Sequence, residues 1–278
     1  MLFDAHTHLN YEEFSAEERL ERAREIEESG VDFIIDVGDS IESSRQAIKD
    51  ADDYPWCYAA VGIHPDKATV YSDDDIDMIR EFAAAPKVQA IGEIGLDFHY
   101  GKDSKAEQIE LFRKQIRLAN DLMMPIMVHT READALTMDI LIEEGAFSDA
   151  RKKYFPERPD EQGNMVPDAR VQLHCYSGSL ELAREYVKLG ATFSIGGPLT
   201  FKNARKTVEV LEGIPLQFIM SETDAPFLAP EPKRGRPNKT PYIEHVVRRM
   251  ALLKGIEYEE AARITSDNAK CFFNIKDK

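Results

Sequence analysis

The sequence predicts an α/β fold, a single (β/α)8 or TIM barrel over residues 1–278. Short apolar runs alternate with longer amphipathic ones, and eight such pairs fit a chain of 278 residues. That arithmetic is the one an α/β barrel uses, and such barrels often take a whole chain of this length. A doubly wound open sheet is the alternative, disfavoured because no Gly-x-Gly-x-x-Gly follows an early strand. The expected strands are Leu2–Leu9, Val31–Val37, Cys57–His64, Val88–Leu96, Pro125–His129, Val171–Cys175, Ala191–Ile195 and Phe218–Ser221. Between them, apolar residues three and four apart predict helices over Glu17–Ser29, Ile41–Asp52, Asp74–Ala84, Glu107–Met123, Ala133–Glu143, Leu180–Leu189 and Asn203–Leu211. Ser15 and Ser104 stand where N-caps belong, and Gly30 and Gly190 follow helical runs. Helices over Ile243–Leu253 and Tyr258–Phe273 finish the chain.

Two segments break the alternation. Gly145–Asp168 holds three prolines and no apolar period, and reads as an excursion between strands five and six with a short helix of its own. Ala229–Pro241 is irregular and locally basic.

Composition narrows the class. A hydrophobic content of 43% excludes wholesale disorder, and the chain has no 18-residue apolar run from which to build a membrane span. The start, Met1-Leu2-Phe3-Asp4, lacks the basic region and cleavage site of a signal peptide. Cys57, Cys175 and Cys271 form no pairable framework, so reduced thiols and a cytoplasmic location are expected. A net charge of −16 argues against retention on nucleic acid by bulk charge, though local basic loops or bound cations can still serve a nucleic-acid substrate.

Five of the seven histidines fall at the expected C-terminal ends of strands: His6 and His8, His64, His129 and His174. Glu93 lies late in strand four, and Asp224 follows strand eight. Barrel active sites are built at those ends. His6 and His8 are two apart, so on a strand their imidazoles share a face and can reach one metal ion. Chance would scatter the other histidines and acids over helices and both barrel ends.

The segments DAHTHL (4–9), VGIHP (61–65), GEIGLDF (92–98), VHTREA (128–133), LHCYSGS (173–179), FKNA (201–204), SETDAPFLAP (221–230) and RGRPN (234–238) resemble, in order, the motifs of the TatD family of metal-dependent DNases. The closing DNAKCFF extends the resemblance to residue 273. It implies that His6, His8, Glu93, His129, His174 and Asp224 hold two divalent ions. In that arrangement His6, His8 and Asp224 take one ion, His129 and His174 the other, and Glu93 bridges. It also implies activity with Mg²⁺ or Mn²⁺, with Zn²⁺ or a similar ion retained in crystals, and hydrolysis of DNA phosphodiesters from a 3′ end. Asp224 would orient the water and carry its proton, making Asp224 and Glu93 the catalytic pair. No membrane and no obligate protein partner are expected. Two departures stand out: the 145–168 excursion is longer than usual, which predicts an altered pocket rim, and Phe98-His99-Tyr100 replaces the usual aromatic and basic run.

Around this set, His64, Arg131, Glu222 and Asp4 are candidates for substrate contact or for support of the ligands. Asp4 shares the parity of His6 and His8 and is expected to hydrogen-bond a ligand imidazole. Lys202, Arg205, Arg234 and Arg236 are the candidate DNA contacts. Strand alternation turns Cys175 away from the ligands as a small buried thiol. Two other functions fit the residues less well. One is a related hydrolase acting on a small amide, ester or aminoacyl-tRNA bond; the other is a non-enzymatic nucleic-acid-binding scaffold, which would need none of the six ligands.

Overall fold

The computed structural model describes residues 1–276. Among the described residues are ten strands: β1 (Leu2–Thr7), β2 (Val31–Val37), β3 (Cys57–Val61), β4 (Val88–Asp97), β5 (Ile126–Arg131), β6 (Arg158–Pro159), β7 (Met165–Val166), β8 (Val171–Leu173), β9 (Ala191–Ile195) and β10 (Ile219–Ser221). All but β6 and β7 form one eight-stranded sheet in the order β1-β2-β3-β4-β5-β8-β9-β10, and every pairing in it is parallel. Helices α1 (Ala16–Glu27), α2 (Ile41–Asp53), α3 (Asp73–Phe82), α4 (Lys105–Leu122), α5 (Asp134–Glu143), α6 (Asp149–Tyr154), α7 (Leu180–Leu189), α8 (Arg205–Gly213), α9 (Ile243–Lys254) and α10 (Tyr258–Phe273) connect the strands or close the chain. This is the (β/α)8 barrel the sequence predicts, and none of the described helices is long and apolar enough to cross a membrane.

Local chemistry sets several element ends. Ser15 accepts from the Glu18 amide while the Glu18 carboxylate accepts from the Ser15 amide, a reciprocal cap that starts α1. Gly190 ends α7 in the left-handed conformation at φ 91°. The larger apolar layer lies between strands and helices, around residues such as Ile34, Val61, Ile91, Val128 and Phe193. A smaller cluster contains Phe3, Ala5, Ile35, Ala60, Ala90, Met127 and Met220 together with Phe272 and Phe273 of α10. The Phe273 ring stacks on Phe3 at 6.0 Å, so the last helix closes the N-terminal end of the barrel.

The seam between β10 and β1 is made by the residues beyond β10. The Asp224 amide donates to the His6 carbonyl at 2.9 Å, and the His8 amide donates to the Ala225 carbonyl at 2.8 Å. This draws Asp224 against His6 of β1 and His8 just beyond it.

The 145–168 excursion does not alter the pocket rim, because it lies at the other end of the barrel. It folds into α6 and the antiparallel hairpin β6–β7, and leads into the start of β8. Arg151 is fully buried and donates to the carbonyls of Ala119, Met124 and Ala169. Arg158 donates to the Ala191 carbonyl at the start of β9, and Asp168 stands 3.1 Å from the Arg170 guanidinium. An insertion that precedes a strand is delivered to the strand's N-terminal end, away from the mouth where barrel chemistry sits.

Candidate metal centre

Glu93 is the hub. Its carboxylate is buried inside the mouth, and its two oxygens face two separate pairs of imidazoles. Oε2 stands 3.4 Å from His6 Nε2 and 3.8 Å from His8 Nε2. Oε1 stands 2.8 Å from His129 Nδ1 and 2.6 Å from His174 Nε2. Asp224 Oδ1 completes the first group, 3.7 Å from His6 Nε2 and 3.4 Å from His8 Nε2. The two Nε2 atoms are themselves 3.2 Å apart. Donors in a tetrahedron around an ion at about 2.0–2.1 Å lie about 3.3–3.4 Å from one another. The first group fits a divalent cation on that measure, and the donor mixture of imidazole and carboxylate suits such an ion. The second group is tighter, with His129 Nδ1 and His174 Nε2 3.2 Å apart on either side of Glu93 Oε1.

The far nitrogens explain how the rings are aimed. His8 Nδ1 donates to the Val37 carbonyl at 2.9 Å, which leaves the Nε2 lone pair for the ion. His129 Nε2 points at Asp97 Oδ2, 3.3 Å away, which leaves Nδ1 toward Glu93. Sequence reading missed Asp97. The signal was its position four residues after Glu93 on the same strand, and therefore the same parity. Gly95 sits between them at φ +151°, and a Cβ there would fall 1.9 Å from the His129 carbonyl oxygen, so only glycine lets β4 and β5 approach beneath the site.

Charge follows the packing. Burial works against an ionised Glu93, but His174, His6 and the hydrogen bonds of His129 and His174 outweigh it and hold the carboxyl well below its usual range. Asp97 is also opposed by burial, yet the His129 hydrogen bond and the backbone amides of Tyr100 and His99 bring it down to about 2. Burial disfavours a charged His8, and Asp224 and Glu93 overcome this and raise it to about 9. His6, stacked on His174 with ring centres 3.9 Å apart, goes the other way, lowered by burial and by His174.

The remaining candidates divide. Asp4 does not reach an imidazole; it accepts from the Thr223 amide at 2.9 Å and hydroxyl at 2.5 Å and from the His6 amide at 3.4 Å, so it anchors the backbone on both sides of the seam. Burial raises its carboxyl to about 8. Its position at the seam, where two backbones need a common acceptor, takes it from the ring. Glu222 is fully buried, with Oε1 3.8 Å from His174 Nδ1. His64 caps the turn after β3 by accepting from the Asp66 amide, and its Nε2 is 3.9 Å from Glu93 Oε1. Arg131 is exposed at the end of β5 with its guanidinium 4.7 Å from the Tyr100 ring centre. Lys202 and Arg236 are exposed, Arg234 lies over the Phe201 ring, and Arg205 is paired with Glu209 at 2.9 Å. Cys175 overturns the alternation argument: β8 ends at Leu173, and Cys175 takes φ 43° and lines a cleft beside His174.

That cleft, about 300 Å³, also takes in Arg131, Tyr176, Pro198 and Leu228. A second cleft of about 390 Å³ is also lined by Glu93, His129 and Asp224, and Glu12, Glu13, Asp39 and Asp66, with Lys67 among them, make its wall net acidic. The mouth is therefore electrically divided, acidic over the β1–β3 loops and carrying Arg131 over the β5–β9 loops.

Fold and mouth together define a metal-dependent hydrolase of the barrel type. The chain matches the family described as TatD related DNase over residues 3–274, and it belongs to that family. It is 40% identical to the uncharacterized metal-dependent hydrolase YabD of Bacillus subtilis, over 99% of this chain and 100% of that protein. It is 30% identical to the 3′-5′ ssDNA/RNA exonuclease TatD of Musicola paradisiaca, over 100% of this chain and 99% of that one. Among solved structures it resembles the TatD homologue YJJV of Escherichia coli, with TM-score 0.85, 27% identity and coverage of 99% and 98% of the two chains.

Proposed function

We propose that the protein is a two-metal phosphodiesterase that trims single-stranded nucleic acid, DNA above all, from the 3′ end. The observation that carries this reading is Glu93, whose Oε2 faces His6 and His8 at donor spacings suited to an ion while its Oε1 faces a second imidazole pair, His129 and His174, at hydrogen-bond distance. His6, His8 and Asp224 would hold one ion, His129 and His174 the other, with Glu93 between. Ions bound there supply Lewis-acid activation of water and of the scissile phosphoryl group, and Mg²⁺, Mn²⁺ and Zn²⁺ are the ions to try. Asp224 orients the attacking water and accepts its proton. Arg131 and the exposed Lys202, Arg234 and Arg236 meet the backbone phosphates on the less acidic side of the mouth. The three free thiols suit a reducing cytoplasm.

The acidic wall of Glu12, Glu13, Asp39 and Asp66 favours a second reading, hydrolysis of a small uncharged ester or amide. One experiment separates the two. The purified protein is loaded with Mg²⁺, Mn²⁺ or Zn²⁺ and given 5′-labelled single-stranded DNA, duplex DNA, RNA, aminoacyl-tRNA and a small uncharged aryl ester and anilide. A metal-dependent ladder of 3′-shortened single strands, abolished by chelator, is the expected result. Intact nucleic acids with all three ions would defeat the nuclease reading.

A further inference from the structure

We propose that Glu222 is a positioning residue shared by both metal positions, its Oε1 accepting from Nδ1–H of His6 in one group and of His174 in the other. This inference rests on the two-ion reading above.

Three buried atoms have no hydrogen-bond partner among the described residues and belong to three residues that meet: His6 Nδ1, His174 Nδ1 and Glu222 Oε1. His6, His174 and Glu222 bring ligand atoms within 4.8 Å of one another. The His6 and His174 rings are stacked nearly parallel, 13° apart, and both Nε2 edges face Glu93. Their Nδ1 edges therefore turn away from Glu93, and His174 Nδ1 lies 3.8 Å from Glu222 Oε1. A buried donor without an acceptor is unfavourable, and so is a buried carboxylate oxygen without a donor; neither contact is within hydrogen-bond length here, but Glu222 Oε1 is an unpartnered acceptor beside His174 Nδ1 and in the same 4.8 Å cluster as His6.

The opposite oxygen of Glu222 is fixed from below. Ser194 Oγ donates to Oε2, and Gln172 Nε2 donates to Ser194 Oγ at 2.7 Å. Gly196 closes the side, where a Cβ would lie 3.2 Å from Glu222 Cγ. The carboxylate is thus held in one orientation with its free oxygen toward the two rings. A carboxylate behind a ligating imidazole sets the tautomer and ring angle and strengthens the nitrogen that faces the ion. Glu222 differs from Val37 and Asp97, which each steady one ring: it stands behind one ring of each ion's set.

The test uses Glu222→Gln and Ser194→Ala beside the native protein. Zn²⁺ and Mn²⁺ affinities are read by competition with a chromogenic chelator, together with metal content and the Tm of the metal-free proteins. Glu222→Gln should weaken both ions by about 10–100-fold while the metal-free Tm changes little. Ser194→Ala should shift both affinities the same way by less, and it decides the matter if the Gln variant does not fold. Unchanged affinities, or loss confined to one ion, would overturn the shared role. If the native protein itself binds no more than one ion, the two-ion reading has failed first and the inference falls with it.

Discussion

Replacing Asp224 by asparagine separates proton handling from metal holding. Asp224 Oδ1 stands 3.4 Å from His8 Nε2 and 3.7 Å from His6 Nε2, the position of one donor in the first group. The backbone sets it there at φ 56°, with its amide bonded to the His6 carbonyl. Asparagine tolerates the same left-handed conformation, so the substitution leaves the backbone in place. The amide oxygen still offers a donor to the ion beside His6, His8 and Glu93, but it cannot accept a proton. Removing a general base costs about 10²–10⁴-fold in rate, or about 3–5 kcal/mol in the barrier. The loss should fall on kcat, with KM for a 5′-labelled single-stranded oligonucleotide little changed. Metal content is measured alongside at saturating metal, because simple loss of the ion would imitate the result. A variant that keeps both ions and cleaves at near the native rate would show that Asp224 only holds metal, and the proposed chemistry would be wrong.

Other perturbations probe the frame around the site. Gly95→Ala places a methyl group against the His129 carbonyl and strains a positive φ, and should lower stability by about 2–6 kcal/mol; a Tm equal to native would contradict the close approach. Asp36 is fully buried, and burial together with Asp50 raises its pKa well above the usual carboxylate range. Its unfolded form ionises near pH 4 while the folded form stays protonated, so stability should fall as pH rises from about 4 toward the folded pKa. Asp36→Asn should make that fall shallower, with Asp4 keeping its own share, as read by urea unfolding at pH 5 and pH 8, and an equally steep variant would refute the assignment. Single-stranded DNA binding should depend weakly on salt, since about four basic groups on the mouth give a log–log slope of about −3. A slope steeper than about −6 would mean a far larger contact surface.

Much of this centre was legible in the chain. Short apolar runs and a 3.6-residue apolar period placed all eight barrel strands and the helices between them, because run length and helical spacing are local properties. The histidines gathered at the mouth were legible for a related reason, since a parallel barrel brings the ends of its strands to one mouth wherever they lie in sequence. What the tertiary structure alone decided depends on directions that spacing does not encode. Asp4 turned to the backbone because the β1–β10 seam needed an acceptor there. Cys175 faces the cleft because the chain leaves β8 two residues early and takes a left-handed turn. The 145–168 excursion lies at the far end because it precedes a strand rather than following one. Asp97 came beside His129, and Glu222 beside His174, only when strands distant in sequence came together, with β4 beside β5 and the residues after β10 beside β1 and β8. Residue type and local period fix which groups reach the mouth; hydrogen-bond competition among distant segments fixes where each one points.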